Sequence, residues 1–183
     1  MKYTVAALAS LATMVSAHGN ITSPLGRIAG AAMAAACGQA AVDAVNIDGT
    51  IPLENIQPAT ADCNLFLCRG ATFDDNVDRV QTFTAGQVVD FTAILPIPHE
   101  GPCNVSVVDT TTNSVIGDPL IEFESYADEA LAQLPANNTA FSVTIPQLAA
   151  GQCAVAGQCV LQWFWFGTGA QQTYESCIDF VVA

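Results

Sequence analysis

Short apolar runs with β-branched or aromatic character recur along this chain, separated by clusters of turn-forming residues. Residues 88–95 (VVDFTAIL), 103–109 (CNVSVVD), 114–117, 141–145 (FSVTI), 160–166 (VLQWFWF) and 174–182 (YESCIDFVV) each have the length and composition of a strand. Thr110-Thr111-Thr112-Asn113 and Ala136-Asn137-Asn138 mark breaks between them. Val105 and Val107 on one side of the Thr/Asn cluster, with Val115 on the other, predict a hairpin. The pattern as a whole predicts an all-β fold, an antiparallel β-sandwich of the immunoglobulin-like or fibronectin type, with long loops and a few short helical turns. Only residues 29–44 read as helical. They are alanine-rich, but Gly30 and Gly38 interrupt them, so one or two short turns within a long connection are expected. Trp163 and Trp165 alternate onto one face of their strand and are expected to pack between the sheets.

The first seventeen residues follow a different pattern. Met1-Lys2 is a short positive start, residues 5–15 are apolar or small, and Val15-Ser16-Ala17 offers the small residues a signal peptidase accepts. Residues 1–17 are therefore expected to be a secretory leader, cut before His18, and residues 18–183 a single β-sandwich domain. No other stretch approaches the roughly 20 apolar residues of a membrane span. The chain stops directly after its last expected strand, which predicts no appended binding module and no lipid-anchor tail.

Export accounts for the seven cysteines, Cys37, Cys63, Cys68, Cys103, Cys153, Cys159 and Cys177. They allow three disulfides and one remaining thiol. A zinc ribbon wants paired short spacings, which the C-x4-C and C-x5-C gaps do not provide. Local loops Cys63–Cys68 and Cys153–Cys159 are the natural pairs, leaving Cys37–Cys177 as the long-range pair and Cys103 odd. Asn20, Asn104 and Asn137 open glycosylation sequons.

Composition adds size and charge. The chain has 183 residues, 51% of them hydrophobic, enough for one domain with a core. Seventeen acidic residues against four basic give a formal charge of −13. Loss of Lys2 with the leader leaves Arg27, Arg69 and Arg79 as the cations of a mature chain at −14. Such a charge repels nucleic acid and anionic membrane surfaces and attracts metal cations, while a neutral polysaccharide is unopposed. The expected product is a secreted, extracellular monomer.

There are two histidines, His18 and His99, and cleavage after Ala17 would make the first of them the amino terminus. An N-terminal histidine offers its α-amine and ring Nδ1 to one metal ion. A second imidazole completes a T-shaped set of three nitrogens, which suits Cu(II). Free amine and imidazole pKa values near 8 and 6.5 let both groups yield their protons to copper at neutral pH.

His18-Gly19 followed by Pro24, the lone internal histidine in Pro98-His99-Glu100-Gly101-Pro102, and the ending Gln172-Thr173-Tyr174-Glu175-Ser176-Cys177-Ile178-Asp179 together resemble the lytic polysaccharide monooxygenases and chitin-binding type-4 proteins. The resemblance implies one copper ion in a histidine brace, with His18 and His99 as equatorial ligands and Tyr174 at the axial position. It also implies Gln172 as an outer-sphere hydrogen-bond donor, an external electron donor, and chitin or a cellulose-like polysaccharide as substrate. Gln172 and Tyr174, two apart, share a strand face, while Cys177 points to the other. Gln162, in the aromatic strand, is a second candidate for the donor role. The same family includes copper-binding members that oxidise no sugar, so a non-catalytic copper-binding or cell-wall-binding protein of the same fold is the alternative.

Hydrolysis by paired carboxylates is the rival chemistry. Asp74-Asp75 and Glu122 with Glu124 are the conceivable pairs, but neighbouring side chains in an extended segment diverge and neither pair has a recognisable setting. No G-x-S-x-G elbow is present for a serine triad.

Overall fold

The computed structural model describes residues 18–58 and 60–183, so the expected leader lies outside the described residues. Strands β1 (His18–Ser23), β3 (Val88–Ile97) and β6 (Ala140–Thr144) form one sheet in the order β1-β3-β6. Strands β2 (Gln81–Phe83), β8 (Gln172–Val182), β7 (Cys159–Gly167), β4 (Gly101–Asp109) and β5 (Ser114–Tyr126) form the other, in the order β2-β8-β7-β4-β5.

Alternation decides what lies between them. Val89, Phe91 and Ala93 of β3 and Phe141 and Val143 of β6 belong to one buried cluster with Val105 and Val107 of β4, Leu161, Trp163 and Trp165 of β7, and Ile178 and Phe180 of β8. Phe91 and Phe141 are register partners with rings stacked 5.3 Å apart. Each large apolar side chain buried this way contributes about 1.5–3 kcal/mol. The two tryptophans are fully buried in this layer, as their shared face predicts.

The β4–β5 hairpin forms around the Thr/Asn turn, with Asp109 opposite Ser114. Strand β5 runs well past residue 117, however. Partners jump from Ile116 opposite Val107 to Ile121 opposite Val105, so Gly117-Asp118-Pro119-Leu120 bulges out and pairing resumes. At the sheet edge a proline and a bulge cost little. Strands β1 and β2 escape the strand pattern because HGNITS and QTF each place one large apolar residue, Ile21 or Phe83, in the core. Pairing is antiparallel except between β2 and β8, which run parallel.

Residues 29–44 form more than isolated turns. Helices α1 (Ala31–Cys37) and α2 (Gln39–Ile47) are separated by Gly38 at φ 87°, a conformation only glycine adopts readily. Met33, Cys37, Ala41 and Val42 give them a common apolar face, buried with Leu53, Ile56 and Ala71 in a second, smaller core. No helix among the described residues is long and apolar enough to cross a membrane.

Asp75 holds the start of α1, accepting the N–H groups of Ala32 at 2.9 Å and Met33 at 2.8 Å. Burial alone would raise its pKa, but these bonds, with the Thr72 hydroxyl, outweigh it and hold the carboxyl below its ordinary 3.8. A depressed carboxyl stabilises the fold above its unfolded pKa and loses that contribution as pH falls through the folded value. Asp75→Ala should cost about 1 kcal/mol at pH 7. Urea titrations of the two proteins should converge as the pH is lowered below about 4.

Three disulfides are present, and Cys103 is a buried free thiol. Cys153–Cys159 and the odd Cys103 match expectation. The other two pairs do not: the bonds are Cys37–Cys63 and Cys68–Cys177. Cys63 faces the end of α1, whereas Cys68, at φ 57°, turns toward β8. The Cys68 bridge and an ion pair fasten the segments outside the sheet to β8. In that pair Arg27 Nε and Nη2 reach the two Asp179 carboxylate oxygens, both at 2.7 Å.

Candidate metal centre

His18 opens β1 opposite Ile97 of β3, and His99 follows two residues after Ile97. Gly19 lets β1 lie on the indole of Trp165, since a Cβ there would stand 2.8 Å from Trp165 Cζ3. Trp165 stacks on its register partner Tyr174 with centroids 4.4 Å apart, and the Tyr174 hydroxyl donates to Gln172 Oε1 at 2.8 Å. Gln172 pairs with Gly167, where an added Cβ would be 3.2 Å from His99 Cβ. A continuous path of contacts therefore links His18, Tyr174, Gln172 and His99 at one end of the sandwich.

Each imidazole carries a carboxylate. His18 Nε2 lies 3.1 Å from Asp48 Oδ2, and His99 Nδ1 lies 3.4 Å from Glu129 Oε1. Asp48 also accepts the backbone N–H and hydroxyl of Thr50, and Glu129 accepts the N–H of Glu100 at 2.6 Å. These contacts hold both carboxyls below their ordinary values, at Asp48 by together outweighing burial, the largest single effect there, and at Glu129 with its own backbone N–H contributing most. The remaining ring nitrogen of His99, Nε2, is buried with no hydrogen-bond partner. An inaccessible imidazole nitrogen without a partner is costly unless it meets a ligand. The donor set thus fits a metal ion bound through His18 and the outer nitrogen of His99. No group of three or more His, Cys, Asp or Glu side chains placed to hold a metal occurs among the described residues, so a third donor would have to be of another kind, such as an α-amine.

A family profile described as lytic polysaccharide mono-oxygenase, cellulose-degrading, matches residues 18–180. The chain belongs to the lytic polysaccharide mono-oxygenase family. Among solved structures, a chitin binding domain from Burkholderia pseudomallei shares 14% identity and a TM-score of 0.51, covering 91% of this chain and 100% of that one. A cellulose-active lytic polysaccharide mono-oxygenase in complex with copper shares 14% identity and a TM-score of 0.49, covering 90% and 98%. A further mono-oxygenase, from Streptomyces lividans, shares 13% identity and a TM-score of 0.44, covering 68% and 77%. The Burkholderia domain shares the fold. None of the curated proteins matches the chain.

In this member of the family, Tyr174 is 1% exposed, and burial together with the nearby charge of Glu54 pushes its phenol pKa well up. The ring therefore stays a neutral phenol. Glu54 itself was not evident from sequence. It accepts the Thr173 N–H at 2.9 Å from a turn 119 residues away, a contact that no local pattern announces. Gln162 does not join the site. It pairs with Cys177 on the opposite face of the sheet from Tyr174, and the one-residue offset from Trp163 sends it there. Glu175 shares that outer face, where burial raises its carboxyl to about 7 despite the Arg69 N–H it accepts.

The rival carboxylates are otherwise occupied or apart: Asp75 caps α1, Asp74 is exposed, and Glu122 and Glu124 are exposed on the edge strand β5. Of the sequon asparagines, Asn137 is exposed in a short turn. Asn20 accepts the Ser176 hydroxyl, and Asn104 lies in a central strand accepting the Ser106 hydroxyl. Two cavities, about 270 and 150 Å³, lie beside the helices and are lined by neither histidine.

Proposed function

We propose that this chain is a secreted copper monooxygenase that oxidatively cleaves a β-linked polysaccharide, chitin or a cellulose-like glycan, using one copper ion in a brace of His18 and His99. The observation that carries this reading is the buried, partnerless Nε2 of His99, at the same end of the sandwich as the His18 imidazole whose Nε2 faces Asp48. Removal of residues 1–17 would leave 18–183 as the mature domain and add the α-amine of His18 to the donors. Three disulfides support an oxidising, extracellular setting.

Copper bound there supplies one-electron and O2 chemistry, drawing its electron from an external donor. His18 and His99 would hold the ion. Tyr174, kept neutral by burial, would meet the ion as a phenol and would not ligate it as a phenolate. Its hydroxyl donates to the carbonyl oxygen of Gln172, the residue to which the outer-sphere role falls in this reading.

The test is product analysis. Chain beginning at His18, loaded with copper, is incubated with chitin or cellulose with and without a reductant. Oxidised chain ends by mass spectrometry are expected only when copper and reductant are both present. Their absence on every glycan, with copper bound, removes the catalytic reading.

One observation favours the second reading, a non-catalytic copper- or glycan-binding protein. Phe66 is the one exposed aromatic side chain among the described residues. It sits by Asn113 at the β4–β5 turn, the opposite end of the sandwich from His99. Among the described residues no fully exposed aromatic side chain lies at the histidine end, and retention of copper or glycan without product would fit that reading.

A further inference from the structure

We propose that Asp48 and Glu129 are a matched pair of positioning residues that select opposite tautomers in the two imidazoles and bias the bound metal toward its oxidised state. This rests on the copper reading above.

An ionised carboxylate only accepts hydrogen bonds, so the ring nitrogen facing it carries the proton. At His18 that nitrogen is Nε2, and at His99 it is Nδ1. In the neutral rings the metal-binding lone pair then falls on Nδ1 of His18 and on Nε2 of His99. These are different nitrogens on the two residues, and the brace requires that difference. Nδ1 of His18 can close a small chelate ring with the amine of the same residue, whereas His99 reaches the ion with its outer nitrogen. The buried, partnerless state of His99 Nε2 is the independent sign that the selected nitrogen is the one left for a ligand.

The carboxylates are themselves built in. Asp48 follows directly on α2 and is anchored by the N–H and hydroxyl of Thr50. Glu129 lies in the turn after β5 and is anchored by the Glu100 N–H, next to the histidine it supports. Neither depends on the imidazole alone for its orientation. Carboxylate–histidine–metal arrangements of this kind orient the ring and raise its basicity. Two negative charges behind the ligands also stabilise a doubly charged ion more than a singly charged one. Their side chains are 37% and 48% exposed, so solvent screens part of that effect.

The experiment is a potentiometric titration of the Cu(II)/Cu(I) couple, with spin-resonance spectra, on protein beginning at His18. The amide variants Asp48→Asn and Glu129→Gln keep an oxygen acceptor and remove the charge. Each is expected to retain the nitrogen-dominated spectrum and shift the Cu(II)-to-Cu(I) affinity ratio about tenfold toward Cu(I), a rise of roughly 59 mV. Asp48→Ala and Glu129→Ala remove the acceptor too, and should alter the spectrum and weaken Cu(II) binding about 10–100-fold. If parent and all four variants share one potential and one spectrum while remaining folded by circular dichroism, the two carboxylates are ordinary surface contacts and the proposal is overturned. If the parent itself binds no stoichiometric copper, the metal reading falls and this inference falls with it. That outcome is distinct because there is no parent couple to compare.

Discussion

Protein carrying one alanine ahead of His18 is expected to bind Cu(II) about 10²- to 10⁴-fold more weakly than protein that begins at His18, the gain usual for a donor tethered to its partner. The proposed brace would use one residue twice, through its amine and its ring. An extra peptide bond converts the amine into an amide nitrogen, which has no available lone pair at neutral pH, while leaving the imidazole and Asp48 untouched. Calorimetry on the two proteins reads the effect directly, and His99→Ala in the shorter one should bring a loss of similar order. Equal affinity in the two proteins would remove the N-terminal amine from the site. The comparison isolates one bond, because strand β1 pairs with β3 from His18 onward in either case.

Asp179→Ala is expected to cost about 3–5 kcal/mol of stability, the usual consequence of stranding one partner of a buried ion pair. Arg27 and Asp179 side chains are 4% and 0% exposed, and both carboxylate oxygens are engaged by the guanidinium. After truncation Arg27 would keep the carbonyl of Ala71 at 3.0 Å, which cannot compensate a buried charge. Urea denaturation measures the loss, and for a chain of this length the melting temperature should fall by roughly 6–20 °C. The double replacement Arg27→Met with Asp179→Leu should recover much of it, since an apolar pair of similar volume avoids the desolvation penalty. A single variant within 1 kcal/mol of the parent would mean that water reaches the pair.

The strands richest in β-branched and aromatic residues were legible from composition alone, because β3, β4, β6, β7 and β8 bury a continuous apolar face. Strand β1 was not, since its six residues bury one large apolar side chain and depend on β3 for their pairing. The extent of β5 was hidden by Gly117 and Pro119, which an edge strand tolerates and a central strand would not. The histidines stood out because there are only two in the chain. Their carboxylate partners could not be read in the same way. Asp48 and Glu129 sit 30 residues from His18 and His99, in segments whose local sequence marks only turns, and the loops bring them into contact. Cysteine pairing failed for the same reason. Cys63 and Cys68 are near in sequence, but the chain between them carries them to different walls of the helical layer.

Cys103 lies in β4 between two paired strands, 2% exposed, and burial pushes its thiol pKa well up. Neither a thiol reagent nor a neighbouring disulfide can reach it without separating the sheets. Its labelling rate in native buffer is therefore a clock for global opening, free of contributions from fraying loops or the histidine end. Any ligand that binds only the folded chain should slow that clock in proportion to its affinity. Copper binding, glycan binding and the stability of each variant can thus be read on one common scale, from an atom that touches none of them.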